Sequence, residues 1–250
     1  PETAPPLRTR RPGRRVLAEL GLRPGINRLQ YKFRGNLNAQ VVLEARIFFY
    51  PFAARRRVVV SDVDGTVTRS DLLGHIMPFL SQDWSHRGIA EFYTALAARG
   101  YAIVYLTARD MSAFGKTLAY LRSVRQGRFR LPEGPVLTSE DSLLESFKRE
   151  VIAKNPEVFK VQALRDLKRV FGADRPEVLF AGFGNKDSDA VAYRVLAMPK
   201  RRIFIIDSSG SIRSLSALAP LSYPELNARV EDFFPAVDAV EETRGESDED

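Results

Sequence analysis

Val58, Val59 and Val60 lead through Ser61 into Asp62-Val63-Asp64-Gly65-Thr66. Three β-branched residues in a row describe a strand buried on both faces, as in a parallel sheet. Two acids spaced two residues apart at the end of such a strand are costly unless something neutralises them. In an open α/β sheet, ligands sit at the carboxyl ends of the strands, and Gly65 lets the chain turn sharply after the acids. The pattern suggests one carboxylate as nucleophile, a second as proton donor and a hard cation holding both in place. The same pentapeptide also fits an Asx turn with both acids in water. The rest of the chain shifts the weight.

Residues 101–106 (YAIVYL) form a second apolar run, ending in Thr107-Ala108-Arg109. Residues 177–183 (EVLFAGF) form a third, ending in Gly184-Asn185-Lys186-Asp187-Ser188-Asp189. Residues 202–206 (RIFII) form a fourth, ending at Asp207. Helices are expected over 85–99, where Ile89, Phe92, Tyr93 and Leu96 make an apolar stripe closed by Gly100, over about 112–122, from a cap at Ser139 to about 153, and from Pro156 to about 171. Another follows Asp189, carrying Val191, Tyr193 and Val195. This alternation predicts a doubly wound, mostly parallel sheet over about 57–210. Such a sheet brings DVDGT, TAR and GFGNKDSD to one edge.

At that edge each cluster has a job. Asp62 and the chain around Asp64, with Asn185 or Asp189, supply the oxygen shell that Mg²⁺ prefers. Thr107 donates its hydroxyl to a phosphate oxygen, Lys160 brings positive charge to the same oxygens, and Asp64 protonates a leaving oxygen. With no cofactor motif visible, phosphoryl transfer to an aspartate is the reaction class that fits.

Flanking segments bound the remaining possibilities. Residues 1–57 carry thirteen Lys or Arg and three acids, whereas residues 231–250 carry nine acids and one Arg. The first 25 residues read as a basic, Pro-rich linker and residues 236–250 as a disordered acidic tail. Residues 16–22 suggest a short strand or turn. Residues 26–56 read as two strands around Gly35-Asn36, with Leu29, Tyr31 and Phe33 and then Val41, Leu43, Ala45 and Ile47 in alternation. Two strands alone are not a stable domain. There is no cysteine, so no disulfide or thiolate metal site is possible; there is no initiating Met, which suggests a piece of a longer chain. No apolar run approaches the ~18 residues of a membrane span, and the first residues lack the apolar core of a secretory signal. Nucleic acid is the weakest partner, because the charge lies mainly in a Pro-rich arm without a recognition motif.

The order DVDGT, Thr, Lys, acidic cluster resembles the four motifs of the haloacid dehalogenase-like phosphatases. More narrowly, the chain is similar over residues 25–235 to the catalytic region of the lipins, the Mg²⁺-dependent phosphatidate phosphatases. The match is carried by SDVDGTVTRSDLLGHIMPFLSQDWSHRGIAEFY, YLTAR, REVIAKNPEVFKVQALRDL and AGFGNKDSDAVAYR. The resemblance implies a haloacid dehalogenase-like domain over 57–235, preceded by strands of a small immunoglobulin-like unit that an amino-terminal lipin segment completes. That segment is not found in this sequence. It implies Asp62 as nucleophile, Asp64 as general acid/base and carbonyl ligand to Mg²⁺, and Thr66 ordering the loop that contains Gly65. Thr107 and Lys160 hold the phosphate, Asn185 and Asp189 support the metal, and Arg109 either approaches the phosphate or makes a structural ion pair. It further implies phosphatidate as substrate and peripheral association with the endoplasmic reticulum or nuclear membrane from the cytoplasmic side. The lipin LxxIL motif is altered here, as Leu73-Gly74-His75-Ile76-Met77, which leaves a transcriptional role without support.

Two other functions compete: a phosphatidate-binding module without catalysis, which retention of both acids argues against, and a phosphatase for soluble phosphate esters, against which stands the lack of an insertion suited to a cap domain. His75 and His86 are better suited to packing than to Mg²⁺, which prefers oxygen. Trp84 reads as core or as a lipid contact, and Arg55-Arg56-Arg57 as a solvated strand entry or an attraction to anionic lipid heads.

Overall fold

Alternating apolar and polar residues make the first part of the chain a hairpin. A computed structural model describes residues 14–34, 40–50, 56–69, 84–139, 156–172, 175, 177–216 and 219–237. The chain divides into two units, Pro1–Pro51 and Phe52–Asp250. In the first, Arg14–Glu19 is a helix rather than a strand or turn. It is made of good helix formers, and Arg15 Nε meets Glu19 Oε1 one turn on at 3.1 Å. Strand β1 (Gly25–Arg34) then pairs antiparallel with β2 (Gln40–Phe49). The register sets Leu29 opposite Ala45, Tyr31 opposite Leu43 and Phe33 opposite Val41, so both alternating sets share one face. The other face pairs Arg28 with Arg46 and Gln30 with Glu44. Two strands are a hairpin and not yet a sandwich.

The second unit holds β3 (Val58–Asp62), β4 (Ala102–Asp110), a small hairpin of β5 (Arg125–Gln126) and β6 (Phe129–Arg130), then β7 (Val136–Ser139), β8 (Leu179–Gly184), β9 (Ile203–Ile206) and β10 (Ile212–Ser214). Its main sheet runs β10-β9-β8-β3-β4-β7. The five strands from β9 to β7 are parallel, and β10 closes one edge antiparallel. The expected mixed α/β architecture with a mostly parallel sheet is therefore present. From β3 the chain moves outward through β4 to β7, then returns to the other side of β3 as β8. That reversal between β3 and β8 is the topological switch point where open α/β sheets bind ligands.

Two strands of the main sheet escaped the sequence reading, as did the small β5–β6 hairpin. β7 and β10 are edge strands of four and three residues, too short and too partly buried to stand out as apolar runs. β4 also extends further than expected. It continues through Thr107-Ala108-Arg109 to Asp110, with a register shift against β7 between Leu106 and Asp110. Such irregularities re-aim side chains beside functional sites.

Helix Ile89–Ala98 begins four residues later than expected, because Gly88 adopts a left-handed φ of 82° at its start. Pro224 packs so closely there that an added Cβ would lie 2.8 Å from its ring. The helix buries Ile89, Phe92, Tyr93 and Leu96, the stripe read from the sequence. Helices Phe114–Ser123, Pro156–Gly172 and Asp187–Val195 follow, as expected. Ser139, expected to cap a helix, instead ends β7; the rest of that helix, to about 153, lies outside the described residues, as do the Leu73–Met77 stretch and His75. Residues 219–237 contribute elements not anticipated: helices Tyr223–Ala228 and Val230–Phe233. Ser222 caps the first, accepting the Glu225 N–H while Glu225 receives the Ser222 N–H. Tyr223 and Phe234 join Phe92, Tyr93, Phe183 and Phe204 in one aromatic core, where Phe183 and Phe204 stack at 4.7 Å. Fully burying each such ring is worth about 2–3 kcal/mol. Among the described residues no helix is long and apolar enough to cross a membrane.

Candidate active site

Asp62 is the last residue of β3, beside Leu106 of β4 and at the switch point. Helix Pro156–Gly172 buries Leu164, Leu167 and Phe171, and Lys160 continues that stripe one turn earlier. Its ammonium is thereby driven into the sheet edge. Nζ donates to Asp62 Oδ1 at 2.7 Å and to Asp189 Oδ1. All three residues are buried.

Asp189 is placed by its helix start. It is the third residue of Asp187–Val195, and its Oδ2 accepts the Asn185 and Lys186 N–H groups at 3.1 and 3.0 Å. These are orphan donors of a helix N-terminus, which favours a negative charge. Gly184 makes room for it: a Cβ there would fall 2.3 Å from Asp189 Cβ. Asp187 is exposed in the first helical turn and outside this cluster.

The electrostatics follow from burial. Two carboxylates share one ammonium in a dry edge. Burial, and next the charge of Asp189, push the Asp62 carboxyl up to about 8, against the pull of Lys160. Burial pulls the Lys160 ammonium down, but Asp62 and Asp189 outweigh it and hold the group above its ordinary value. The cluster therefore keeps its ammonium, and the push on Asp62 favours a proton on its carboxyl at neutral pH.

The second acid faces a different set. Thr107 Oγ1 donates to Asp64 Oδ2 at 3.0 Å and accepts the Arg109 N–H at 3.2 Å. Arg109 grips both Asp64 oxygens, Nη2 on Oδ1 at 2.5 Å and Nε on Oδ2 at 3.2 Å. Its Nη1 reaches Thr117 Oγ1 at 3.4 Å. The turn that carries the second acid is tightly bonded. Val63 O accepts the N–H groups of Thr66, Val67 and Thr68, and Gly65 sits at φ 79° with its N–H on Thr68 Oγ1 at 2.9 Å. Thr66 Oγ1 lies 3.4 Å from Asp62 Oδ2.

A buried relay fixes Asp62 from behind. Tyr93 OH donates to Ser61 Oγ, and Ser61 Oγ donates to the Asp62 carbonyl, each at 2.8 Å. Sequence reasoning did not single out Ser61, Tyr93, Gly184 or Thr117. Tyr93 stood in plain view as a core residue, with no signal that its hydroxyl was engaged. His86 is buried, and burial pushes its imidazole below its usual range. Trp84, whose core reading does not hold, is 40% exposed. Arg57 pairs with Glu177 at 3.1 Å and lies over the Phe180 ring, which favours a structural role.

The donor set suits a hard divalent cation. Among the described residues no three His, Asp or Glu side chains converge as a metal cage. Mg²⁺ does not require one, since it is usually held by one or two carboxylates together with water and substrate phosphate. A cation there would oppose the push of burial and Asp189 and hold Asp62 as a carboxylate.

A family model described as LNS2 (Lipin/Ned1/Smp2) matches residues 8–235. The chain belongs to this lipin family. Nuclear elongation and deformation protein 1 of Schizosaccharomyces pombe is 39% identical over 227 residues, 89% of this chain and 34% of that protein. Phosphatidic acid phosphohydrolase 1 of Saccharomyces cerevisiae is 41% identical over 192 residues, 72% of this chain and 22% of its own length. Human phosphatidate phosphatase LPIN3 is 37% identical over 222 residues, 88% of this chain and 26% of its own. This lipin-family chain thus spans about a third or less of those relatives. A solved structure, a putative beta-phosphoglucomutase from Thermotoga maritima, is similar over 70% of this chain and 99% of its own, with TM-score 0.41 and 12% identity. That likeness is too slight to argue from.

Proposed function

We propose that this chain is the catalytic part of a Mg²⁺-dependent phosphatidate phosphatase. It would release diacylglycerol and phosphate through a phosphoryl group carried on Asp62. The observation that carries the reading is the Lys160 ammonium seated on Asp62 Oδ1 at 2.7 Å, at the edge shared with Asp64 and Thr107. The names of the relatives, phosphatidate phosphatase and phosphatidic acid phosphohydrolase, supply the substrate.

In the first step an Asp62 oxygen attacks phosphorus, the bond to the glycerol oxygen breaks, and Asp64 gives that oxygen a proton. In the second, water attacks the phosphoryl group, Asp64 takes the proton, and Asp62 is restored with release of phosphate. Thr107 and Lys160 hold the phosphate oxygens, and Thr66 and Gly65 keep the turn after Asp64 in shape. Bound Mg²⁺, held by Asp62, the Asp64 carbonyl and Asn185, would offset charge on the transferring group. Asp189 serves that site from behind by fixing the Asn185 turn and Lys160.

The scaffold is of the haloacid dehalogenase-like kind. An amino-terminal lipin segment of the same protein would complete the β1–β2 unit as an immunoglobulin-like sandwich. The enzyme would dock peripherally on the cytoplasmic side of the endoplasmic reticulum or nuclear membrane. Supporting this, Trp84 and Met111 are 40% and 60% exposed in the segments that follow β3 and β4, with exposed Arg87 and Lys116 nearby in sequence.

The test is phosphate release from phosphatidate in mixed micelles with Mg²⁺, for wild type and Asp62→Asn. Equal rates for the two would sink the proposal. Liposome binding without turnover would point to a binding module, and preference for soluble phosphate esters to a different substrate class.

A further inference from the structure

Thr107, which the resemblance assigned to the phosphate, and Arg109, which it left between the phosphate and a structural ion pair, are both turned onto Asp64. The Thr107 hydroxyl and two guanidinium nitrogens all donate to its carboxylate. A carboxylate and a phosphate present the same two-oxygen edge to a guanidinium fork. Asp64 is therefore placed as an internal substitute for the phosphate.

We propose that Arg109 is a phosphate-binding residue held in reserve by Asp64, and that substrate phosphate competes with Asp64 for the same fork. This deepens the phosphatase reading and rests on it. Three observations carry it. First, the pair lies at the accessible mouth: the side chains of Arg109 and Asp64 are 14% and 21% exposed, against 6% and 5% for Lys160 and Asp62. An anion arriving from solvent meets the guanidinium before it meets the buried ammonium. Second, the guanidinium is steadied from its far side. Nη1 reaches Thr117 Oγ1 at 3.4 Å, on helix Phe114–Ser123, so the fork can exchange one anion for another without losing its anchor. Third, Thr107 couples the two partners: its Oγ1 accepts the Arg109 N–H and donates to Asp64, so a phosphate oxygen that captures the Thr107 hydroxyl also loosens Asp64.

The consequence for the reaction is order. While Arg109 covers both Asp64 oxygens, neither faces a leaving group. Phosphate binding draws the fork away and turns an Asp64 oxygen toward the ester oxygen it must serve. The acid is thus uncovered by the substrate it acts on.

The experiment is a double-mutant cycle on binding of inorganic phosphate to the full chain with Mg²⁺, read by calorimetry, so that it needs no turnover. Arg109→Gln is expected to weaken phosphate binding about ten- to a hundredfold, the size of a lost charge-assisted hydrogen bond. Arg109→Lys keeps the charge without the fork, and its affinity falls between the two. Asp64→Asn is expected to bind phosphate several-fold tighter than wild type, because the reserve is released. In the Arg109→Gln background that tightening should vanish. A tightening of equal size in both backgrounds would mean only that a negative charge had been removed, and would overturn the proposal. So would an Arg109→Gln protein that binds phosphate like wild type. Thermal unfolding checks that each variant folds; should Arg109→Gln not fold, Arg109→Lys with and without Asp64→Asn runs the same cycle. Failure to hydrolyse phosphatidate with this binding pattern intact would count against the substrate assignment and not against the role of Arg109.

Discussion

Lys160 meets Asp62 at 2.7 Å across 98 positions of sequence. Its other bond goes to Asp189, so one ammonium ties the end of β3 to the first turn of the helix after β8. Neither carboxylate is solvated, and the ammonium is their shared counter-charge. This one contact closes the switch point and opposes the upward push of burial and Asp189 on the proposed nucleophile.

Removing the ammonium should therefore harm stability as well as chemistry. Lys160→Met leaves two carboxylates buried without a cation, a change that typically costs about 3–5 kcal/mol. We expect a clear fall in the urea midpoint of unfolding and loss of phosphatidate turnover. Unchanged stability would mean that the two acids find water, against the burial described here.

The raised Asp62 carboxyl predicts a pH signature in metal-free protein. Its ordinary value is 3.8 and its folded value about 8, so between these the folded state holds a proton that the unfolded state has released. Stability from this group is complete below about 4 and lost as pH rises through about 8. With chelator present, the thermal midpoint should decline over that window, and Asp62→Asn should flatten the decline. A wild-type profile matching that of Asp62→Asn would contradict the electrostatic account.

Gly184 is needed for space. Its added Cβ would meet Asp189 Cβ at 2.3 Å, Cγ at 2.5 Å and Oδ2 at 2.7 Å. Gly184→Ala should push Asp189 off Lys160 and lower turnover at least tenfold, with destabilisation of about 1–3 kcal/mol from overpacking. Combined kinetics and thermal melts would check both effects.

Tyr93→Phe removes only the hydroxyl bonded to Ser61. The deletion leaves Ser61 Oγ without that donor while its own bond to the Asp62 carbonyl remains available. A loss of about 1 kcal/mol in stability is expected, with a several-fold fall in kcat and little change in KM, measured by steady-state kinetics on mixed micelles.

Docking on lipid can be tested apart from turnover. Trp84→Ala together with Met111→Ser should reduce sedimentation with vesicles containing phosphatidate, while turnover of a soluble phosphate ester stays near wild type. Undiminished vesicle binding would remove these two residues from the docking surface.

Much of this was legible along the chain because burial writes itself locally. Val58–Val60, residues 101–106, the apolar run before Gly184 and residues 203–206 are apolar at every position, which only a doubly covered strand requires. The edge strands Val136–Ser139 and Ile212–Ser214 were missed because short, half-covered strands leave no such mark. Helix Tyr223–Ala228 had a readable signal, Ser222 three residues before Glu225, that was passed over.

Local pattern by itself determined the central strands, the helix that buries Phe92 and Leu96, and the gathering of polar strand ends at one edge, because periodicity and parallel topology depend on neighbours in sequence. Which group touches which was decided only by the fold. That Lys160 bridges Asp62 and Asp189, that Arg109 lies on Asp64, and that Tyr93 reaches Ser61 are facts of approach between distant segments. Their energies come from burial and distance, and neither exists until the sheet has closed.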